Sequence, residues 1–498
     1  MSSAPPSSGA VARRPNLVYI LADDMGIGDA SCFNPASAWK TPRLDQMAEE
    51  GRCFTDAHSA SAVCTPSRYA LLTGRYPWRT PLKRGVLRGY SPPLIEPGRL
   101  TVARLLQTHG YHTSLFGKWH LGLDWVRTGA APEDVDFSRP FGGGPLTHGF
   151  DRFKGISASL DMPPYVHLED DHVMRVPTGV IGDSPPPKLW RAGAISDGFD
   201  HEDIMPWLGD LTLQTIAEHA AAPERRPFFV YLALASPHTP IVPTPEFQGR
   251  SGATAYGDFT LQVDDLVGRI LDAVDQHGLG QETLVIFTAD NGFAPMADVE
   301  EHRRVGHDPS AGFRGHKADL YEGGHRVPFI ARWSGTVPAG TRCATPITQG
   351  DLLATCADLL GVSMPDDAGE DSVSMMPLLL GQPGERDHGA PIVNHSENGS
   401  LAIRSGRWKL CLCPGSGGWS YPHPVHDAGL KLPPYQLFDL ENDPAETENL
   451  AERHPEEVQR LGRWLRSIIL NGRSTPGAPQ PNASDVEWPQ IDWIKDFA

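Results

Sequence analysis

Three stretches of this chain are apolar almost without interruption, and they leave few folds open. They are Asn16-Leu-Val-Tyr-Ile-Leu-Ala22, Phe228-Phe-Val-Tyr-Leu-Ala-Leu-Ala235 and Leu284-Val-Ile-Phe-Thr-Ala289. A strand with one wet face alternates apolar and polar residues. An unbroken run has to be covered on both faces, as inside a parallel sheet. The shorter His112-Thr-Ser-Leu-Phe116 follows a helical pattern over Val102–Gly110 and reads as a fourth strand. Thr41-Pro42 caps a helix through Arg43–Ala48 that Gly51 stops, and Phe259–Gln276 carries Leu261, Val263, Leu266, Ile270, Leu271 and Val274 at helical spacing. Strand and helix in alternation predict an α/β fold, a mostly parallel sheet flanked by helices.

Each run ends in polar residues: Asp23-Asp24, Lys118-Trp119-His120, Ser236-Pro237-His238 and Asp290-Asn291-Gly292. Ligands of open α/β sheets bind beyond the carboxyl ends of the strands, so these groups are expected to share one crevice. Asp23, Asp24, Asp290 and Asn291 offer only hard oxygen, a set that suits calcium or magnesium and not zinc. Cys64 opens the run Cys64-Thr65-Pro66-Ser67-Arg68. Thr65 reads as a helix N-cap, Pro66 as the first helical residue and Gly74 as the stop. Cys64 would then sit just outside a helix N-terminus, where free N–H groups favour a thiolate or a bound anion.

At 498 residues the chain exceeds one small core, so a large and a smaller domain are expected. Residues 1–14 are Ser/Pro-rich and read as a disordered tail, and residues 15–380 as the large α/β domain. After a break near Gly381–Gly389, residues 390–498 read as a small α+β domain: short strands at Leu401, Trp408 and Tyr435 form an antiparallel sheet carrying a helix over Pro455–Leu470. Asp161–Asp200, rich in proline and charge, reads as an irregular insertion carrying Tyr165, His167 and Trp190, either a lid or specificity wall or a variable surface loop.

Charge and cysteine usage narrow the function. Lys plus Arg number 43 against 61 Asp plus Glu, a formal charge of −18 that argues against nucleic acid or an anionic membrane as partner. An anionic substrate must therefore be held by a local basic cluster. Seven scattered cysteines make no disulfide framework, and Cys411 and Cys413 read as packing residues. His302, His307, His316 and His325 lack zinc-site spacing and read as surface or supporting residues, and Gly142–Gly144 as loop. With no signal-peptide or membrane-spanning run, the chain is expected to be soluble and cytoplasmic, a trimmed leader being compatible with this sequence. Nothing in the sequence sets the oligomeric state.

The motifs taken together resemble the type I sulfatases, whose signature C-x-P-x-R marks a cysteine converted to Cα-formylglycine. Cys64, Pro66 and Arg68 match it, with Leu72-Thr73-Gly74 downstream. Leu21–Gly26, Gly117–Gly122, Thr288–Gly292, Gly315–Gly324 and Leu437–Leu450 are similar to further segments of that family. The resemblance implies an alkaline-phosphatase-like fold and hydrolysis of a small-molecule sulfate ester, aryl or carbohydrate, after maturation by a formylglycine-generating enzyme. It implies Asp23, Asp24, Asp290, Asn291 and the modified Cys64 around one divalent cation, calcium first and magnesium as the alternative. Arg68 and Lys118 would hold the formylglycine hydrate, and His120 would take a proton from its second hydroxyl. His238 and Lys317 would sit at sulfate oxygens or the leaving group, and His395, a looser match, on the substrate side. Two rivals stand beside this: a phosphomonoesterase or phosphonate monoester hydrolase of the same superfamily, and a noncatalytic, metal-stabilised anion-binding protein with Cys64 unmodified. The C-x-P-x-R run and the complete basic set favour the sulfatase.

Overall fold

The computed structural model describes residues 14–186, 188–483 and 486–498, so the expected tail lies outside it but for residue 14. The four runs form β1 (Asn16–Asp23), β2 (His112–Lys118), β3 (Phe228–Pro237) and β4 (Thr283–Ala289), which lie side by side in the order β4-β1-β3-β2, all parallel. A fifth parallel strand, Arg152–Ile156, pairs with β2. Phe329–Arg332, antiparallel to β4, and the edge pieces beyond it complete a ten-stranded sheet. The unbroken apolar runs have a direct cause. Leu17, Tyr19 and Leu21 point into a core shared with Leu115, Phe229 and Ile286, while Val18, Ile20 and Ala22 point into another with Phe116, Val230 and Val285. Helices Val102–Thr108 and Leu352–Leu360 cover the first face; Pro42–Glu50, Ile204–Ala221 and Ala255–Gln276 cover the second.

Gly117 shows how closely the strands meet at the end that matters. Its φ is +126°, and a Cβ built there would lie 1.8 Å from the Ala233 carbonyl oxygen on β3. Only glycine lets β2 run that close before delivering Lys118.

The smaller sheet, Ile392–His395, Leu401–Ser405, Trp408–Cys411 and Gln436–Asp439, is antiparallel. Val393, Leu401, Ile403, Leu410 and Leu437 take the helix Pro455–Asn471 through Val458, Leu461 and Leu465. Its other face, through Ala402, Cys411 and Phe438, packs on Leu320 and Tyr321, a few residues beyond Lys317. Cys413 lies past the strand but is buried beside them, and the cysteines are free thiols. Among the described residues no helix is long and apolar enough to cross a membrane.

Four expectations need correction. The helix over Phe259–Gln276 starts earlier, at Ala255, because Thr254 Oγ1 accepts from the Gly257 N–H; its polar first turn hides the apolar period. Thr41 holds its N-cap position but accepts nothing from the helix, its hydroxyl being tied to Ser31. Asp161–Asp200 is not irregular throughout. Leu168–Glu169 and His172–Val173 extend the main sheet, and Gly179–Ile181 pairs with Gly193–Ile195. Its aromatic residues pack inward: Tyr165 is buried and donates to the Arg191 carbonyl at 2.6 Å, His167 meets Trp207 edge-on, and Trp190 stacks on His201. Nor are His302, His307 and His325 at the surface. His302 lies among Trp39, Tyr256 and Phe293, His307 Nε2 meets Asp29 at 2.8 Å, and His325 Nδ1 lies 2.9 Å from Nδ1 of His58. Their partners are distant in the chain, which spacing rules do not see.

These buried histidines give the fold an acid limit. One proton fits between His58 Nδ1 and His325 Nδ1, and burial pushes both rings below the ordinary value near 6.5. Burial likewise takes His148, His201 and His395 down to about 4. Unfolded, these rings bind protons more readily than they do folded, so stability is full above about pH 6.5 and falls as pH drops towards 4. The expected slope is up to about 1.4 kcal/mol per pH unit for each ring that titrates in that range. Thermal unfolding between pH 8 and 4.5 should show a midpoint flat at first and then falling; a midpoint that rises below pH 6.5 would refute this.

Candidate active site

Because β1 to β4 are parallel, their carboxyl ends open at one edge of the sheet. β1 delivers Asp23 and, through a left-handed backbone at φ 61°, Asp24. β4 delivers Asp290 and Asn291, with the Asp290 N–H bonded to the Ala22 carbonyl. β2 ends in Lys118 and turns at His120, φ 54°, and His238 follows β3. Cys64 and Arg68 come from the helix α1 (Cys64–Thr73), packed over that edge.

α1 begins one residue before the expected cap. Val63 is the extended N-cap residue, Cys64 is the first helical residue, and Thr65 turns its hydroxyl away to accept from the Leu87 N–H at 3.1 Å. Gly74, left-handed at φ 62°, ends the helix as expected, its N–H donating to Ala70. Residues four apart share a helix face, so Arg68 stands one turn below Cys64 and faces the same strands. That spacing is the physical content of the cysteine–arginine motif.

The contacts are dense. Arg68 donates to Asp290 Oδ2 from Nε at 3.0 Å and Nη2 at 2.8 Å, and to the Lys118 carbonyl at 3.1 Å. Lys118 Nζ lies 2.7 Å from Asp23 Oδ2. Lys317 Nζ lies 2.6 and 2.7 Å from the two oxygens of Asp24 and 3.5 Å from Cys64 Sγ, which is itself 3.7 Å from Asp23. His238 Nε2 approaches Asp24 at 3.3 Å. All of these side chains are buried.

Burial favours neutral forms, and the neighbours decide which groups resist it. Asp23 is held well below the usual carboxylate range although burial opposes this, because Lys118, His238, Arg68 and Lys317 surround it. Asp290 is raised by burial and by Asp23, which Arg68 and Lys118 only partly offset. Burial pulls Lys317 down, yet Asp24 and its neighbours leave it raised and protonated. Burial, then Lys118, pushes His120 well below the usual range. The Cys64 thiol is pushed up to about 12 by burial, against the pull of Lys118 and Lys317. The expected stabilisation of a thiolate therefore fails: the helix end is there, but Cys64 is buried and burial outweighs the nearby lysines.

Three carboxylates, Asp23, Asp24 and Asp290, face three cations, Arg68, Lys118 and Lys317. One further acceptor is left over. Asn291 spends its amide N–H groups on Asp24 and the Gly292 carbonyl, while its Oδ1 is buried without a hydrogen-bond partner. Such an oxygen costs about 1–3 kcal/mol unless something positive meets it. A hard divalent cation among these oxygens fits that need. Asp23, Asp24, Cys64 and His238 also place potential ligand atoms within 4.8 Å of one another.

His120 is prepared differently. Its Nε2–H donates to the Leu87 carbonyl at 2.8 Å, so the lone pair is on Nδ1, which is buried without a partner. A neutral imidazole with one free lone pair is a base. His395 lies one step back. Its Nε2 donates to the Lys83 carbonyl at 2.8 Å, and its backbone pairs with Ala60 and Ala62, the approach to Cys64.

Sequence reasoning missed Ser159 and Asp161. Ser159 Oγ lies 3.3 Å from Lys118 Nζ and 3.2 Å from His238 Nδ1, bridging two basic groups. Both residues follow the parallel strand Arg152–Ile156, so the rule that found the other groups applies to them. Arg-Phe-Lys-Gly-Ile is too polar to be read as a covered strand. Beyond this turn a cavity of about 970 Å³ opens, lined among others by Arg88, Tyr90, Met162, Pro163, Val180 and Arg191. Arg88 and Met162 in its wall are the chain neighbours of Leu87 and Asp161.

Residues 15–362 match the family model described as Sulfatase. The chain is 34% identical to the N-acetylgalactosamine-6-O-sulfatase of Bacteroides thetaiotaomicron, over 93% of this chain and 94% of that protein. It is 34% identical to human arylsulfatase A, over 91% and 87%. A solved Bacteroides thetaiotaomicron chain from work on glycosaminoglycan metabolism superposes with a TM-score of 0.79 at 32% identity, covering 92% of this chain and 99% of that one. The fold alone is shared with a phosphonate monoester hydrolase of Agrobacterium radiobacter, at TM-score 0.58 and 20% identity.

Proposed function

Since the chain belongs to the sulfatase family and hydrolyses sulfate monoesters, we propose that its substrate is a sulfated carbohydrate and that residue 64 acts as formylglycine beside one Ca²⁺, Mg²⁺ being the alternative. One observation carries the site assignment: Asp23, Asp24 and Asp290, matched by Arg68, Lys118 and Lys317, gather around Cys64 together with the unpartnered Asn291 oxygen. The pocket is balanced as it stands. Two added positive charges leave room for two negative ones, those of a sulfate monoester and an ionised hydroxyl. The carbohydrate reading is supported by the open cavity with its arginines, and by the name of the Bacteroides relative.

Asp23, Asp24, Asp290 and Asn291 would hold the cation, which supplies charge at sulfate oxygens and eases ionisation of a hydroxyl. Formylglycine hydrate supplies one hydroxyl to attack sulfur and a second whose deprotonation frees the sulfate. Arg68 and Lys118 orient these hydroxyls and offset charge. Lys317, protonated and 3.5 Å from Sγ, reaches the sulfate or the departing oxygen, with His238 beside Asp24 on the same side. His120 Nδ1 takes the proton of the second hydroxyl. Rotation of its ring is checked by the Leu87 carbonyl.

His120→Ala should therefore release one equivalent of alcohol in a burst and then stall with sulfate retained on the protein, steady turnover falling about 10²–10⁴-fold. Stopped-flow release with intact mass measurement reads both. Loss of the burst itself, in a folded variant with metal bound, would remove His120 from this role. The substrate proposal is tested on matured protein with sulfated hexosamines, 4-nitrophenyl sulfate, a steryl sulfate and the matching phosphates. Turnover of aryl or steryl sulfate with none of any sulfated sugar would sink it.

A further inference from the structure

Asp161 is 4% exposed and stands in the turn that carries Ser159 to the basic cluster. One of its oxygens is spoken for. Arg191, which lines the cavity, clasps Oδ2 with its guanidinium and wraps its backbone N–H onto the Asp161 carbonyl at 3.1 Å; Tyr165 in turn fixes the Arg191 carbonyl. The other oxygen, Oδ1, is buried with no hydrogen-bond partner. Burial opposes ionisation here, but His238 and Arg191 hold the carboxyl below its usual range. A rigid carboxylate is thus left with one buried oxygen that lacks a hydrogen-bond partner, in the turn between Ser159 of the basic cluster and the cavity-lining Met162 and Pro163. A buried acceptor is costly beside an apolar or aromatic leaving group and is satisfied by a hydroxyl.

We propose that Asp161 is a specificity-determining residue whose free carboxylate oxygen accepts a hydrogen bond from a hydroxyl of the sugar carrying the scissile sulfate, with Arg191 as its positioning residue. The assignment rests on the carbohydrate reading above and adds to it the group that selects a polyol over an arene or sterol.

Asp161→Ala is a usable test because its partner Arg191 is half-exposed and is rehydrated when the carboxylate goes. On matured enzyme, kcat/KM is compared for N-acetylgalactosamine 6-sulfate, galactose 6-sulfate and 4-nitrophenyl sulfate. The expected result is a fall of about 10–100-fold or more on the sugar the parent enzyme uses best, carried by both KM and kcat, and a fall less than a tenth as large on the nitrophenyl ester. Arg191→Ala should give an intermediate loss with the same preference. An equal loss on sugar and aryl substrates would overturn the proposal, making Asp161 a support of His238 and Lys118. Undiminished sugar turnover in Asp161→Ala would overturn it while leaving the carbohydrate reading intact. A parent enzyme that cleaves 4-nitrophenyl sulfate and neither sugar would remove that reading, and the proposal with it.

Discussion

Cys64→Ala should yield a folded protein with turnover reduced on the order of 10⁴–10⁶-fold, the scale at which a covalent nucleophile is lost. The fold has little reason to fail, since Cys64 Sγ contributes only weak contacts to Asp23 and Lys317. The same loss is expected of wild-type protein made without conversion, because a thiol pushed up to about 12 by burial is a poor nucleophile near neutral pH. Thiolate chemistry and formylglycine chemistry are thereby separable. Peptide mass mapping of residue 64 should show activity proportional to the aldehyde fraction, and fully active protein with only a free thiol there would overturn the assignment.

The second large effect is expected at Asp290. Its carboxylate takes two bonds from Arg68 and one from the Asp24 N–H at 3.2 Å, all of them buried. Asp290→Ala strands a buried guanidinium, which typically costs about 3–5 kcal/mol, so activity and fold would fall together. Asp290→Asn separates them: it keeps shape and an acceptor while removing the charge. Turnover of Asp290→Asn should drop at least about 10³-fold and bound metal should fall well below one equivalent, with an unfolding midpoint between those of the parent and Asp290→Ala. Stoichiometric metal retained by Asp290→Asn, or activity that tracks zinc, would defeat the ligand assignment.

Much of this was legible in the sequence, for a physical reason. Parallel strands buried on both faces read as unbroken apolar runs, and whatever follows them lands at one edge, so Asp23, Lys118, His238 and Asp290 announced a parallel α/β sheet and the site, while the alkaline-phosphatase-like form of that sheet was implied by the family resemblance. Cys64 was legible from the helix-start residues that follow it and Arg68 through the C-x-P-x-R resemblance; the structure adds that the two share one helix face. Three kinds of information were not. Thr65 had the right chemistry for a cap, but the extended residue is Val63, and backbone direction entering a helix is set by tertiary contacts. Ser159 and Asp161 follow a strand whose polar residues disguise it. The rings of Tyr165, His167 and Trp190 pack against Phe199, His201 and Trp207, partners that a proline-rich stretch gives no sign of.

Cys64, 3% exposed once the fold has closed, also imposes a timetable. The lid over it is built from residues as late as Lys317, and β1 cannot pair with β4 until more than 260 further residues exist. Contacts so far apart in the chain form slowly, and a ribosome adding about 5–20 residues per second leaves Cys64 uncovered for roughly 13–50 s before Lys317 is even made. On the proposed conversion of residue 64, an oxidising enzyme would act within that interval, before the fold closes over the thiol. A chain that folded first would present a buried Cys64, so the active fraction of a preparation would record a race between catalyst and chain rather than the quality of the fold.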